Sequence, residues 1–153
     1  MNKIIVILLL LLPSLASAEL TPLEMRVMQT RIFEKANPEV IESLRTLCED
    51  LGALGTKVAA DGVRARCIWT AEVKPGFFKA KIPEGQLAKI DYVASDIEND
   101  STTVRLRVYF WEMKGHSPTM IQSVDTASYS QYFKTIADYL FIESIDWTPP
   151  TQE

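Results

Sequence analysis

Four arginines stand at alternate positions in two short stretches: Arg64 and Arg66 in VRARCIWTAEV, and Arg105 and Arg107 in VRLRVYFWEM. In a strand, every second side chain points the same way. Each pair would therefore share one face with the residues two and four places on, which here include Tyr109 and Trp111. If the two stretches are neighbouring strands, all six side chains meet on one surface. A guanidinium binds a carboxylate or phosphate through two parallel hydrogen bonds, and Arg with Tyr and Trp is the composition of binding hot spots. This is the chemistry of recognition. The competing reading is a solvated sheet face whose arginines pair with acids such as Asp91.

The chemistry of catalysis is poorly supplied. The single histidine, His116, precedes Ser117 in a Gly-His-Ser-Pro turn. No G-x-S-x-G elbow is present to fix a nucleophile, so His116 reads as a solvated turn residue. One histidine and two cysteines give too few ligands for zinc. Asp96, Glu98 and Asp100 have the alternate spacing of a calcium loop. Ser101 stands where that loop needs glycine, and Arg107 where it needs an acid, so a hydrated hairpin tip is the better reading. No Gly-rich phosphate loop occurs. The expectation is a non-enzymatic protein without a cofactor or metal.

The elements that would carry these residues follow from periodicity. Residues 25–33 read as a strand rich in Val, Ile, Thr and Phe. Asn37 and Pro38 suit the cap and first position of a helix. Behind them Val40, Ile41, Leu44, Leu47, Cys48 and Leu51 form a helical apolar stripe that ends at Gly52. Residues 53–60 read as a strand or an irregular lead-in, and Asp61-Gly62 as a turn. Residues 63–73, 86–97, 104–113 and 119–124 read as strands. The Pro- and Gly-bearing stretch 74–85 reads as a loop holding Phe77 and Phe78. Asp125 or Thr126 would cap a closing helix whose stripe is Tyr129, Tyr132, Phe133, Ile136, Leu140 and Phe141. Of these the core should take Tyr132, Phe133, Ile136, Leu140 and Phe141, leaving Tyr129 and Tyr139 for a surface or a pocket rim. The order strand, helix, strands, helix implies an α+β fold: one antiparallel sheet of about five strands with two helices packed on one face.

The N-terminus carries a different signal. Lys3, the apolar run of residues 4–12 and Ala16-Ser17-Ala18 have the layout of a secretory signal peptide cleaved before Glu19. The expected organisation is a signal peptide at 1–18, one domain at 19–146 and a flexible tail at 147–153. The product would be periplasmic or secreted, with no transmembrane segment after cleavage, since nine apolar residues are too few to span. A net charge of −4 argues against a nucleic-acid partner. An oxidising compartment permits the two cysteines to pair. Cys48 falls on the apolar stripe of the helix and Cys67 on the core face of its strand, so a Cys48–Cys67 disulfide is expected over two buried thiols.

Three stretches resemble motifs of a family of small bacterial envelope proteins, many of them lipoproteins. Residues 26–33, RVMQTRIF, resemble that family's RxMQTRxF opening. Asp125, Tyr129, Tyr132-Phe133 and Leu140-Phe141-Ile142-Glu143 resemble its closing stretch, and Glu49-Asp50-Leu51-Gly52 its DLGF helix end, with Ala53 in place of the aromatic. The family's lipidated cysteine has no counterpart here. The resemblance implies an α+β envelope module and brings no catalytic residue. The expected function is docking to envelope protein partners, as a component or accessory of a larger assembly. The alternative is a small apolar ligand or lipid held between helix and sheet, against Trp69, Phe77, Phe78, Phe133 and Leu140.

Overall fold

The computed structural model describes residues 19–69, 85–97, 100–115 and 117–150. The expected signal peptide and the last three residues of the expected tail lie outside the described residues. In chain order the elements are α1 (Pro22–Met28), β1 (Thr30–Phe33), α2 (Asn37–Asp50), β2 (Gly55–Val58), β3 (Arg64–Ile68), β4 (Leu87–Ile97), β5 (Ser101–Lys114), β6 (Ser117–Gln122), α3 (Thr126–Leu140) and β7 (Ser144–Asp146). The α+β class and the antiparallel sheet stand. The expected five strands and two helices are corrected to seven and three among the described residues.

The first correction lies at the start. Residues 22–28 are helix, so the first part of the expected strand at 25–33 is not strand. Thr21 and Glu24 form a reciprocal capping box, and Pro22 occupies the first turn, where a missing N–H costs nothing. The strand is thereby shortened to Thr30–Phe33. A second correction concerns Asn37. The cap of α2 is Ala36, and Asn37 is buried, donating from Nδ2 to Ala94 O at 3.2 Å and tying the helix to β4. At the other end of α2, Gly52 takes φ +77°, which L-residues with side chains seldom adopt, so that Ala53 N–H reaches back to Cys48 O.

The sheet order is β2-β3-β4-β5-β1-β7, with β6 also on β5. Fourteen residues long, β5 holds two partners along the same edge, β1 at Thr102–Arg105 and β6 at Tyr109–Lys114. Between them the edge is closed by other groups. Leu106 N–H donates to Gln29 O, Val108 N–H donates to the Tyr129 hydroxyl at 3.1 Å, and Val108 O accepts from Ser123 N–H. Tyr129 is fully buried, which corrects its expected place at a surface. Its hydroxyl stands in for a strand that is not there, and burial raises its pKa.

The helices pack on one face of this sheet. Val104, Leu106 and Val108 of β5, Ile90, Tyr92 and Ala94 of β4, and Phe33 of β1 meet Val40, Leu44 and Leu47 of α2 and Phe133 and Ile136 of α3. Cys48 and Cys67 form a disulfide across this layer, with Cα atoms 6.1 Å apart. Closing a loop of about twenty residues is worth roughly 3 kcal/mol in the chain-entropy account. Phe141, expected in the core, is 94% exposed. α3 ends at Leu140, and Phe141 takes the left-handed cap position at φ +55°, which removes it from the helical stripe. Beyond it, β7 adds a short strand to β1, where Arg31 bonds Asp146 at 2.9 Å; the Arg26 guanidinium lies 5.1 Å from the Trp147 ring.

Candidate functional site

The opposite face of the sheet carries no helix among the described residues. Its composition follows from register, because directly paired residues point the same way. One row across the strands is Lys57–Arg66–Asp91–Arg107, the next is Arg64–Val93–Arg105, and a third is Ile68–Lys89–Tyr109–Gln122. Trp111 continues the same side of β5, beside Met120 of β6. All six residues singled out from the sequence, Arg64, Arg66, Arg105, Arg107, Tyr109 and Trp111, are thus on one face. Their strands are not adjacent: β4 lies between β3 and β5, which spaces the two arginine pairs roughly 10 Å apart. The intervening strand brings Lys89, Asp91 and Val93 into the face, and β2 adds Lys57.

The six do not share one state. Arg66 bonds Asp91 at 2.5 Å, and Lys89 bonds the same carboxylate at 3.0 Å while its Nζ lies 4.2 Å from the Tyr109 ring centroid. Burial opposes ionisation of Asp91, but the hydrogen bonds from Arg66 and Lys89 outweigh it and lower its pKa. Arg64 reaches Asp61 of its own turn at 2.7 Å. Arg105 is half-buried and donates from Nε and Nη2 to Gln29 Oε1 at 3.3 and 3.2 Å. Burial, with Arg107 and Arg26 nearby, lowers its pKa. The Gln29 Nε2 group is 3.4 Å from the Tyr129 hydroxyl, so a chain of polar groups runs from the outer face into the helix layer. Arg105 therefore belongs to this internal chain more than to a free surface. Arg107 is exposed and has no ion-pair partner among the described residues.

A shallow groove of about 460 Å³ crosses the basic rows, lined by Lys57, Arg64, Arg66, Asp91, Val93 and Arg107. The solvated reading foresaw the Arg66–Asp91 pair. It does not account for the surplus: the row Lys57–Arg66–Asp91–Arg107 sets three cations against one carboxylate, which Lys89 also shares. Lys57, Lys89 and Gln29 were missed from the sequence. The alternation of residues 87–95 held the signal for Lys89, since Lys89, Asp91 and Val93 alternate with Ala88, Ile90 and Tyr92.

The other chemical candidates separate. His116 and Glu98 lie outside the described residues. Of the residues weighed as a calcium loop, Asp96 lies in β4 and Asp100 directly precedes β5, and no group of three or more His, Cys, Asp or Glu among the described residues is placed to hold a metal. Of the apolar-ligand residues, Phe133 and Leu140 are buried in the core, and Trp69 packs beside it with Nε1 donating to Leu51 O at 2.8 Å. Phe77 and Phe78 lie outside the described residues. No described helix is long and apolar enough to cross a membrane. No family model matches the chain, and no curated protein is similar enough in sequence to count as a match.

Proposed function

We propose that the chain is a non-enzymatic interaction module of the cell envelope, docking through its uncovered sheet face onto an acidic protein surface. The observation that supports this best is the charge on that face. The chain is acidic overall, with a net charge of −4, yet Lys57, Arg64, Arg66 and Arg107 line one groove where Asp61 answers Arg64, Asp91 is shared by Arg66 and Lys89, and Lys57 and Arg107 have no ion-pair partner among the described residues. The surplus cations, Lys57 and Arg107, add self-repulsion with no ion pair among the described residues to offset it, whereas they can steer and orient an acidic partner. Export rests on the layout of residues 1–18, on the resemblance of the two terminal motifs, and on the Cys48–Cys67 bridge, which suits an oxidising compartment.

The test is crosslinked capture of the mature protein in its native envelope, followed by mass spectrometry. A few stoichiometric envelope proteins are expected. The double reversal Arg64→Glu with Arg107→Glu is expected to remove them while leaving the thermal unfolding curve nearly unchanged. Capture that survives the reversal rules out this face as the docking surface.

A further inference from the structure

We propose that the free edge of β2 is a strand-addition site for an extended partner segment that alternates acidic and apolar residues. This rests on the docking reading above and specifies its occupant. Among the described residues β2 pairs with β3 alone, so one side of its backbone has no partner among them. Ala59 N–H donates to Arg64 O at 2.8 Å. That makes Lys57–Arg66, two residues on, a hydrogen-bonded pair, and it turns the N–H and C=O of Thr56 and Val58 away from β3. These are the groups through which an added strand would bind.

The other edges are guarded and this one is not. β7 is three residues long and has Asp146 bound to Arg31. On β6, the Ser123 N–H to Val108 O bond sets the parity, so Pro118, Met120 and Gln122 face outward, and Pro118 has no N–H to offer. β2 has no proline, and its one charged residue, Lys57, has no ion-pair partner among the described residues.

Charge and exposure then choose the sequence of the added strand. On the outer side, alternate residues of an incoming strand fall beside Lys57 and within reach of Arg66 and Arg64, at the rim of the groove. Acids are favoured there and bases repelled. On the other side they fall beside Thr56 and Val58. Val58 is 61% exposed and the neighbouring Leu54 68%, so apolar residues bury surface there.

The probe is a short synthetic peptide alternating Glu with Val, compared with the same peptide bearing Lys for Glu. Binding is read by fluorescence anisotropy, and the site by amide hydrogen exchange of the protein. The Glu peptide is expected to bind, and to slow exchange at Thr56 and Val58 about tenfold or more, since an N–H taken into a strand ladder is protected. Val58→Pro deletes one outward N–H without touching the β2–β3 ladder, and should weaken binding about tenfold. Lys57→Glu leaves the backbone alone and should weaken it similarly, so it decides the matter if the proline variant does not fold. Equal binding of the two peptides, or none by either, overturns the proposal. So does unchanged affinity in Val58→Pro; if the Arg64→Glu/Arg107→Glu reversal then still abolishes capture of the envelope partner, the docking face stands without the strand addition. Capture that survives the reversal but is lost in Val58→Pro leaves the edge standing and removes the face.

Discussion

Along β5 the chain alternates between two environments one residue apart. Val104, Leu106 and Val108 are sealed against α2 and α3, while Arg105, Arg107 and Tyr109 look the other way onto a face no described helix covers. The backbone is common to both sets, so the difference isolates what side chains are for. The inner set is fixed by packing density, which leaves few substitutes. In the outer set Arg105 is tied to Gln29 and Tyr109 to Lys89, but exposed Arg107 could be any solvated residue with strand propensity, and the fold would hold. An arginine there is information about something outside the fold.

The sharpest way to break that comparison is to truncate neighbours. Leu106→Ala should lower unfolding free energy by about 2–5 kcal/mol, because the cavity left among the core residues cannot fully collapse. Arg107→Ala should stay within about 0.5 kcal/mol of wild type, as exposed positions without a bonding role do. Urea denaturation measures both. A large loss at Arg107 would make that arginine part of the fold and weaken its claim to a partner. Removing the disulfide by Cys48→Ala with Cys67→Ala should cost roughly 3 kcal/mol, all of it on the inner face, with no change in partner capture.

The two faces also differ in how far the sequence reveals them. Alternation in 104–113 and the helical stripe after Pro38 follow from one-dimensional spacing, and so they are legible, as is the pairing of Cys48 with Cys67. So is the shared face of the six candidate residues, because parity along a strand survives the insertion of another strand between two neighbours. Three things are not legible. α1 is hidden by the β-branched residues of 27–32, although the Thr21 and Glu24 of its capping box stand in the sequence. Phe141 keeps helical spacing, but α3 stops one residue before it. Tyr129 reads as a rim residue because nothing in its spacing tells that β5 changes partners at Val108 and needs a hydroxyl there. Sites fixed by a gap in the sheet are set by three-dimensional pairing alone.

That gap gives the next prediction, smaller than the core truncation. Tyr129→Phe keeps the ring and removes the oxygen, leaving Val108 N–H and the Gln29 amide without their partner. The cost should be about 1–3 kcal/mol, the penalty for burying an unsatisfied donor. Because Gln29 also holds Arg105, the variant should loosen the Arg105 side chain, visible as narrower guanidinium Nε–H resonances by NMR. A neutral outcome in stability would mean that water replaces the hydroxyl, and the polar chain would then not couple the faces.

Asp91 gives the smallest effect and the one that sharpens the comparison most. Burial raises its pKa, but the Arg66 and Lys89 hydrogen bonds outweigh that, so the net shift is downward. A group whose folded pKa is depressed contributes stability that is complete above its unfolded value, about 3.9 for Asp, and that is lost as pH falls through the folded value. Asp91→Asn lacks this contribution at every pH. The stability gap between wild type and variant should therefore be within about 1 kcal/mol near neutral pH, because the pair is partly exposed, and should close as pH falls below about 4. A gap independent of pH would show that packing, not charge, sets the cost. Binding should move the opposite way. The neutral amide of the Asp91→Asn variant leaves Arg66 and Lys89 without their shared carboxylate, so the Glu peptide should bind that variant severalfold more tightly at neutral pH. A substitution that weakens the fold while strengthening the interaction is what an outer face selected for its partner predicts; an inner-face residue offers no such trade, because loosening it only loses packing.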